Sequence, residues 1–232
     1  LADRCHEAGV RCYLMMPRIF RKEAEQYFRK QMELLTSAGF DALGIGSMEE
    51  PGFLREAGIE LPMYFDQGMY SWNHLAGAAM ERYGADRLTI PVELNEREIR
   101  DSGVQGEMIV YGYLPMMISA QCIRKTTLGC SGKPEIMWLK DRKDMRFPVV
   151  NQCRFCYNTI YNSAPLSLLG LSEQVTGLKP NAVRLNFTVE EPAAAGEILD
   201  AFFEEYGMSE KAAEPPVLRN QFTRGHFKRG VE

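Results

Sequence analysis

The chain alternates short, largely apolar runs with amphipathic segments, and that alternation restricts it to folds assembled from βα units. Val10 to Met16 precedes Lys22 to Ala38, and Ala42 to Ile45 precedes Glu50 to Ala57. Pro62 to Phe65 then precedes Trp72 to Tyr83, and Arg87 to Val92 precedes Asn95 to Asp101. The apolar runs lack the in-and-out alternation of a half-solvated strand and are bounded by Gly, Pro or Asp. That pattern suits a strand buried on both faces of a parallel sheet. The segments between them carry a helical face. Tyr27, Met32, Leu34, Leu35 and Ala38 recur roughly every three to four positions among charged residues, and Gly39 stands where a C-cap belongs.

Ala38-Gly39-Phe40-Asp41-Ala42-Leu43 and Tyr83-Gly84-Ala85-Asp86-Arg87-Leu88 repeat one phrase: helix end, glycine stop, short turn, next strand. Two further strands, Met108 to Tyr111 and Val183 to Phe187, bring the total to about six, and Ala193 to Tyr206 reads as a last helix. Parallel strands joined by right-handed crossovers lead to a barrel. The fold class expected is therefore α/β, a partial (β/α) TIM-type barrel.

Between the last two strands the pattern breaks. From Leu114 to about Ala164 no helical period is sustained, and the stretch carries Pro115, Pro134, Pro148 and the charged turn Lys140-Asp141-Arg142-Lys143. It also holds Cys122, Cys130, Cys153 and Cys156, four of the six cysteines in the chain. The expected organisation is barrel repeats over 1–113, a Cys-rich insertion over 114–164, a final βα unit over 165–214 and a tail over 215–232 opened by Pro215-Pro216. An insertion after a barrel strand lies at the face where such folds carry their chemistry.

Charge and compartment narrow what the thiols do. A net charge of -4 and a pI near 5.6 exclude a protein that coats nucleic acid by bulk electrostatics, so any RNA contact is local. Leu1 to Val10 is no signal peptide, and no stretch approaches the roughly 18 apolar residues of a membrane span, which reads as a cytoplasmic protein with no membrane partner. In a reducing cytosol, clustered cysteines bind metal or act in catalysis more often than they pair. Cys153-x-x-Cys156 can chelate one centre, and the wider gap from Cys122 to Cys130 suits a loop folded back over it. Structural zinc and an iron–sulfur cluster both remain open on the residues alone. Cys5 and Cys12 read as packing cysteines, and His6 and His74 as ordinary histidines. His226, among Arg224, Lys228 and Arg229, either binds an anion or belongs to a solvated basic tail.

Polar residues at strand ends are the other candidates. Asp66 and Gln67 follow one strand, Glu93 follows the next, and Arg184 lies in the last, all at or near the expected catalytic mouth. A fixed arginine suits a carboxylate or phosphate, with a structural Arg184 to Glu93 ion pair as the alternative. There is no Ser-His-Asp ordering, no His-Glu-x-x-His and no recognisable Cys–His setting to mark a protease.

The segment from Met108 through Tyr111-Gly112-Tyr113-Leu114-Pro115 to Ser119, followed by Cys122, resembles the collagenase-like peptidase family of unknown catalytic type. So do Cys130, Leu139-Lys140-Asp141-Arg142, Phe147-Pro148-Val149, Cys153, Asn162-Ser163 and the closing Thr223 to Gly230. Several members of that family are similar to oxygen-independent hydroxylases that modify tRNA uridine, ribosomal-RNA cytidine or a ubiquinone precursor and carry a 4Fe-4S cluster on four cysteines. The resemblance implies that Cys122, Cys130 and Cys153 are three of those ligands, with Cys156, or else Cys5 or Cys12, as the fourth. It implies catalytic roles for Glu93, matching the family's Glu-Leu after the same strand, and for Arg184, matching its Arg in the last strand. Asp66 remains a catalytic candidate from its strand-end position, its Asp66-Gln67-Gly68 departing from the family's usual Ser-Thr-Gln. It also implies two further βα units before Val10, in a missing N-terminal part of the same protein. The function expected is iron–sulfur-dependent hydroxylation of an RNA base, or of an anionic small molecule. A collagenase-like protease and a metal-stapled, non-catalytic scaffold are the alternatives.

Overall fold

A computed structural model describes residues 1–207 and 221–230, and the chain divides into two compact units. One comprises Leu1–Pro91 with Ser102–Gly106, the other Val92–Asp101 with Glu107–Glu232. Of the tail expected over 215–232, the Pro215-Pro216 opening lies outside the described residues.

The first unit is the βα succession. From α1 (Ala2–Glu7) the chain enters β1 (Tyr13–Met15) and crosses through α2 (Lys22–Lys30) and α3 (Met32–Thr36) to β2 (Ala42–Ile45). It continues through α4 (Glu49–Glu56) to β3 (Met63–Phe65), and through α5 (His74–Arg82) to β4 (Ala85–Leu88). The four strands pair in parallel in chain order. Their centre is the core: Ala42, Leu43, Ile45 and Phe65 are essentially inaccessible. Each large side chain so buried contributes about 1.5–3 kcal/mol.

Two boundaries differ from expectation. The helix expected over Lys22 to Ala38 is broken at Gln31 (φ −116°, ψ 38°), leaving Ala24 and Phe28 buried on one piece and Leu35 on the other. The strand expected over Arg87 to Val92 instead runs Ala85–Leu88. Thr89 N–H still donates to Phe65 O at 2.8 Å, but Pro91 has no N–H with which to continue the ladder.

The second unit begins with α6 (Glu96–Ser102), whose last residue groups with the first unit, and β5 (Glu107–Gly112). Then come β6 (Pro115–Ser119), α7 (Ile123–Thr127), β7 (Ile136–Lys140), β8 (Arg146–Gln152) and β9 (Tyr157–Tyr161). It closes with β10 (Leu166–Ser167), α8 (Ser172–Gly177), β11 (Ala182–Asn186) and α9 (Pro192–Glu205). The buried β5 pairs in parallel with β11 and antiparallel with β10. The Cys-rich insertion is a four-stranded antiparallel sheet in the order β6-β9-β8-β7. Its charged turn is organised by Asp141, whose Oδ1 accepts from Lys143 N–H at 2.7 Å and Met145 N–H at 2.9 Å. Among the described residues the ladders form three separate sheets and no closed barrel. No helix among them is long and apolar enough to cross a membrane.

Candidate functional site

Strand register gathers the four insertion cysteines at one end of the antiparallel sheet. Ser119 at the end of β6 pairs with Asn158 on β9, while Asn151 and Gln152 at the end of β8 pair with Asn158 and Tyr157. The tight turn between β8 and β9 is therefore Cys153 to Cys156, and Cys122 arrives beside it just beyond β6. β7 starts with Ile136 opposite Val150, and Asn151 N–H donates to Glu135 O at 3.0 Å. The loop carrying Cys130 thus returns to the same end, where the Cys153 thiol donates to Lys133 O at 2.9 Å. All four cysteines line one cavity of about 380 Å³, together with Lys125, Asn151 and Tyr157.

Specific contacts hold each thiol. Cys122 is the N-cap of α7, its Sγ accepting from Lys125 N–H at 3.5 Å. The fully buried Asn158 clamps the chain on both sides of Cys122, accepting from Ile123 N–H at 2.9 Å and donating to Gln121 O at 3.3 Å. Arg124 forms an ion pair with Glu135, tying α7 to the loop that follows Cys130. Cys156 sits at φ 52°, a left-handed conformation that costs a non-glycine residue roughly 1–2 kcal/mol and that tightens the Cys153-x-x-Cys156 turn. Burial pushes the Cys153 thiol up, and the neighbouring Cys122, Cys130, Cys156 and Glu135 push it further in the same direction. Acidic groups so crowded favour a cation among them.

An all-sulfur donor set fits zinc or iron–sulfur. Among the described residues, however, no set of three or more His, Cys, Asp or Glu side chains is grouped closely enough for a single metal ion. The four cysteines line one cavity whose volume falls within the ~300–1,000 Å³ of sites that take polyatomic ligands.

The expected catalytic residues are divided between the units. In the first, Arg18, just past β1, pairs with Asp66, just past β3, at 2.8 Å (Nη1 to Oδ2). A Cβ at Gly68 would come 2.2 Å from Arg18 Nη2, so the glycine after Asp66-Gln67 makes room for the guanidinium. Beside them Glu50 is fully buried, with Oε2 accepting from Gly46 N–H at 2.7 Å and Ser47 N–H at 3.4 Å. Burial pushes its carboxyl up to about 8 against the pull of those hydrogen bonds, so it carries a proton at neutral pH. Sequence reasoning missed both Arg18 and Glu50; the latter looks like any acidic residue in a helix's first turn. In the second unit, Arg184 on β11 pairs with Glu107 on β5 at 3.0 Å, and Glu93 keeps Oε2 buried without a hydrogen-bond partner.

None of the remaining candidates lines the cysteine cavity. Cys5 and Cys12 are neighbours in the first unit, where burial and Cys5 both raise the Cys12 thiol. His6 pairs with Asp41 at 3.0 Å. His74 opens α5. In the closing segment, Arg224 donates to Ser167 O at 2.8 Å and Leu169 O at 2.6 Å, and His226 Nδ1 lies 2.8 Å from Gly230 O.

Comparison with known proteins gives one family: the sequence profile of peptidase family U32 matches residues 1–196. No curated protein matches the chain. Among solved structures, that of the U32 peptidase Mk0906 is similar with 16% identity and a TM-score of 0.40, covering 48% of this chain and 50% of its own. The chain spans about half the length of that relative.

Proposed function

The chain belongs to peptidase family U32, and on that premise we propose that Cys122, Cys130, Cys153 and Cys156 hold a 4Fe-4S cluster in an oxygen-independent hydroxylase acting on an RNA base. The observation that carries this reading is the single cavity of about 380 Å³ ringed by all four thiols. Cys156 takes the fourth ligand position because it lines that cavity with the other three. When bound, the cluster supplies electron transfer or substrate activation.

The chain's own residues do the rest. Asn158 fixes the approach of Cys122, and the Arg124–Glu135 pair fixes the loop bearing Cys130. Lys125, at the cavity's edge, offers an exposed cation to a phosphate of the substrate. Arg184 holds an anionic group, and Glu93 offers a buried acceptor oxygen in the same unit. Asp66 holds Arg18 just past the ends of β3 and β1 in the first unit. The reading places the protein in the cytoplasm.

The family's name favours a peptidase instead, but no histidine lines the cysteine cavity to act as a base. The test is incubation, without O2, of protein purified without oxygen with RNA lacking the modification and an anaerobic small-molecule cell extract that supplies the oxygen-atom donor and electron acceptor, followed by mass spectrometry of the nucleosides. Gain of one oxygen atom on a pyrimidine, abolished in Cys122→Ser, is the expected result. Cleavage of gelatin by iron-free protein, with no change in the RNA, contradicts it.

A further inference from the structure

Asn151 and Asn158 are cross-strand partners on β8 and β9, so their side chains share one face of the sheet, and both are almost wholly buried. Their circumstances differ. The Asn158 amide is engaged by Gln121 O and Ile123 N–H. The Asn151 side chain, at 1% exposure, has no hydrogen-bond partner at either Nδ2 or Oδ1, and it lines the cavity of the four cysteines. Leaving a buried amide unsatisfied costs about 1–3 kcal/mol, a cost that a neighbouring strand residue with an apolar side chain would not carry. The same position filled by Val or Thr would suit a strand better. An amide kept there is explained by what enters the cavity.

We propose that Asn151 Nδ2 donates a hydrogen bond to a sulfur of the metal–sulfur group held by the four cysteines, and thereby raises that group's reduction potential. The inference rests on the cluster reading above. A thiolate bound to metal and an inorganic sulfide are both acceptors, and both gain negative charge when the centre is reduced. A donor aimed at either therefore stabilises the reduced form more than the oxidised one. A lone zinc ion has no redox couple for such a donor to shift. Asn158 is not placed for this role, because it does not line the cavity and its amide holds the Cys122 segment. Asn151 is thus a positioning and tuning residue rather than a ligand.

The test uses the full chain, purified without oxygen, with Asn151→Leu and Asn151→Asp variants. Iron and sulfide contents should match the wild type, because all four thiols remain. Redox titration followed by EPR should show Asn151→Leu harder to reduce by on the order of tenfold, a drop of about 59 mV for one electron. Asn151→Asp, which replaces the donor with an acceptor, should fall at least as far. In the wild type, nitrogen-15 asparagine should show magnetic coupling between the reduced centre and a side-chain amide nitrogen, which keeps the inference testable if both variants misfold. Loaded variants with unshifted potentials, or a wild type without that coupling, overturn the inference alone. A wild type that takes up no iron and sulfide overturns the cluster reading and this inference with it.

Discussion

The parallel sheet of the first unit and the antiparallel sheet of the second are each four strands wide, yet they are held by different means. At the centre of the parallel sheet lie Leu43, Ile45 and Phe65, apolar and inaccessible. The antiparallel sheet buries Val149 but also Asn151 and Asn158, and its edge strand β7 leaves Trp138 58% exposed. One sheet is stabilised by apolar area, which tolerates any contents of the right volume. The other is organised by register and by an asparagine clamp, and on the cluster reading part of its folding free energy is ligand-binding free energy. On that reading the chain keeps its chemistry in the region less able to order itself by burial.

The largest effect that could break this contrast is a cavity in the parallel sheet. Leu43→Ala should lose about 2–5 kcal/mol in denaturant unfolding while iron per folded chain stays constant. If iron falls in step, the two regions are not separable. Next, Asn158→Ala strands Ile123 N–H and Gln121 O and should cost about 1–3 kcal/mol. Unlike the first change it should also reduce iron content, measured on the folded fraction.

A subtler comparison uses pH. Glu50 holds its proton to about 8 when folded, against an ordinary value of 4.5, so its contribution to stability is full below about 4.5 and is lost as pH rises through about 8. Glu50→Gln should therefore flatten that decline, and near pH 9 it should exceed the wild type by roughly 1–2 kcal/mol in chemical denaturation. Iron content should not respond. The smallest effect is at the exposed edge: Trp138→Ser should change stability by no more than about 0.5 kcal/mol and leave iron unchanged.

Legibility in the sequence follows the same division. Each of the six runs read as strands contains or overlaps a strand, though of Arg87 to Val92 only Arg87 and Leu88 lie in one, because apolar stretches closed by Gly, Pro or Asp have few other uses in a chain of this kind. The antiparallel sheet was hidden. Ile136 to Leu139 is apolar but largely exposed, Pro148 sits inside a ladder, and the strands' polar residues point inward as often as outward. Grouping of the cysteines was legible from spacing, yet the means of grouping was not. Nothing around Asn158, between Tyr157 and Thr159, marks it as the clamp, and nothing around Asn151 marks it as facing the cavity. Such roles arise from strand register, which a single sequence does not display when both faces of a strand are mixed.

The central claim is that the four cysteines form one multinuclear metal centre, and metal analysis tests it most directly. Protein purified without oxygen, assayed for iron and acid-labile sulfide alongside its visible absorbance, should contain about four of each per chain with a broad charge-transfer band. Cys153→Ser should lose both the iron and the band. One zinc per chain, or no metal in anaerobically purified wild type, would contradict the account.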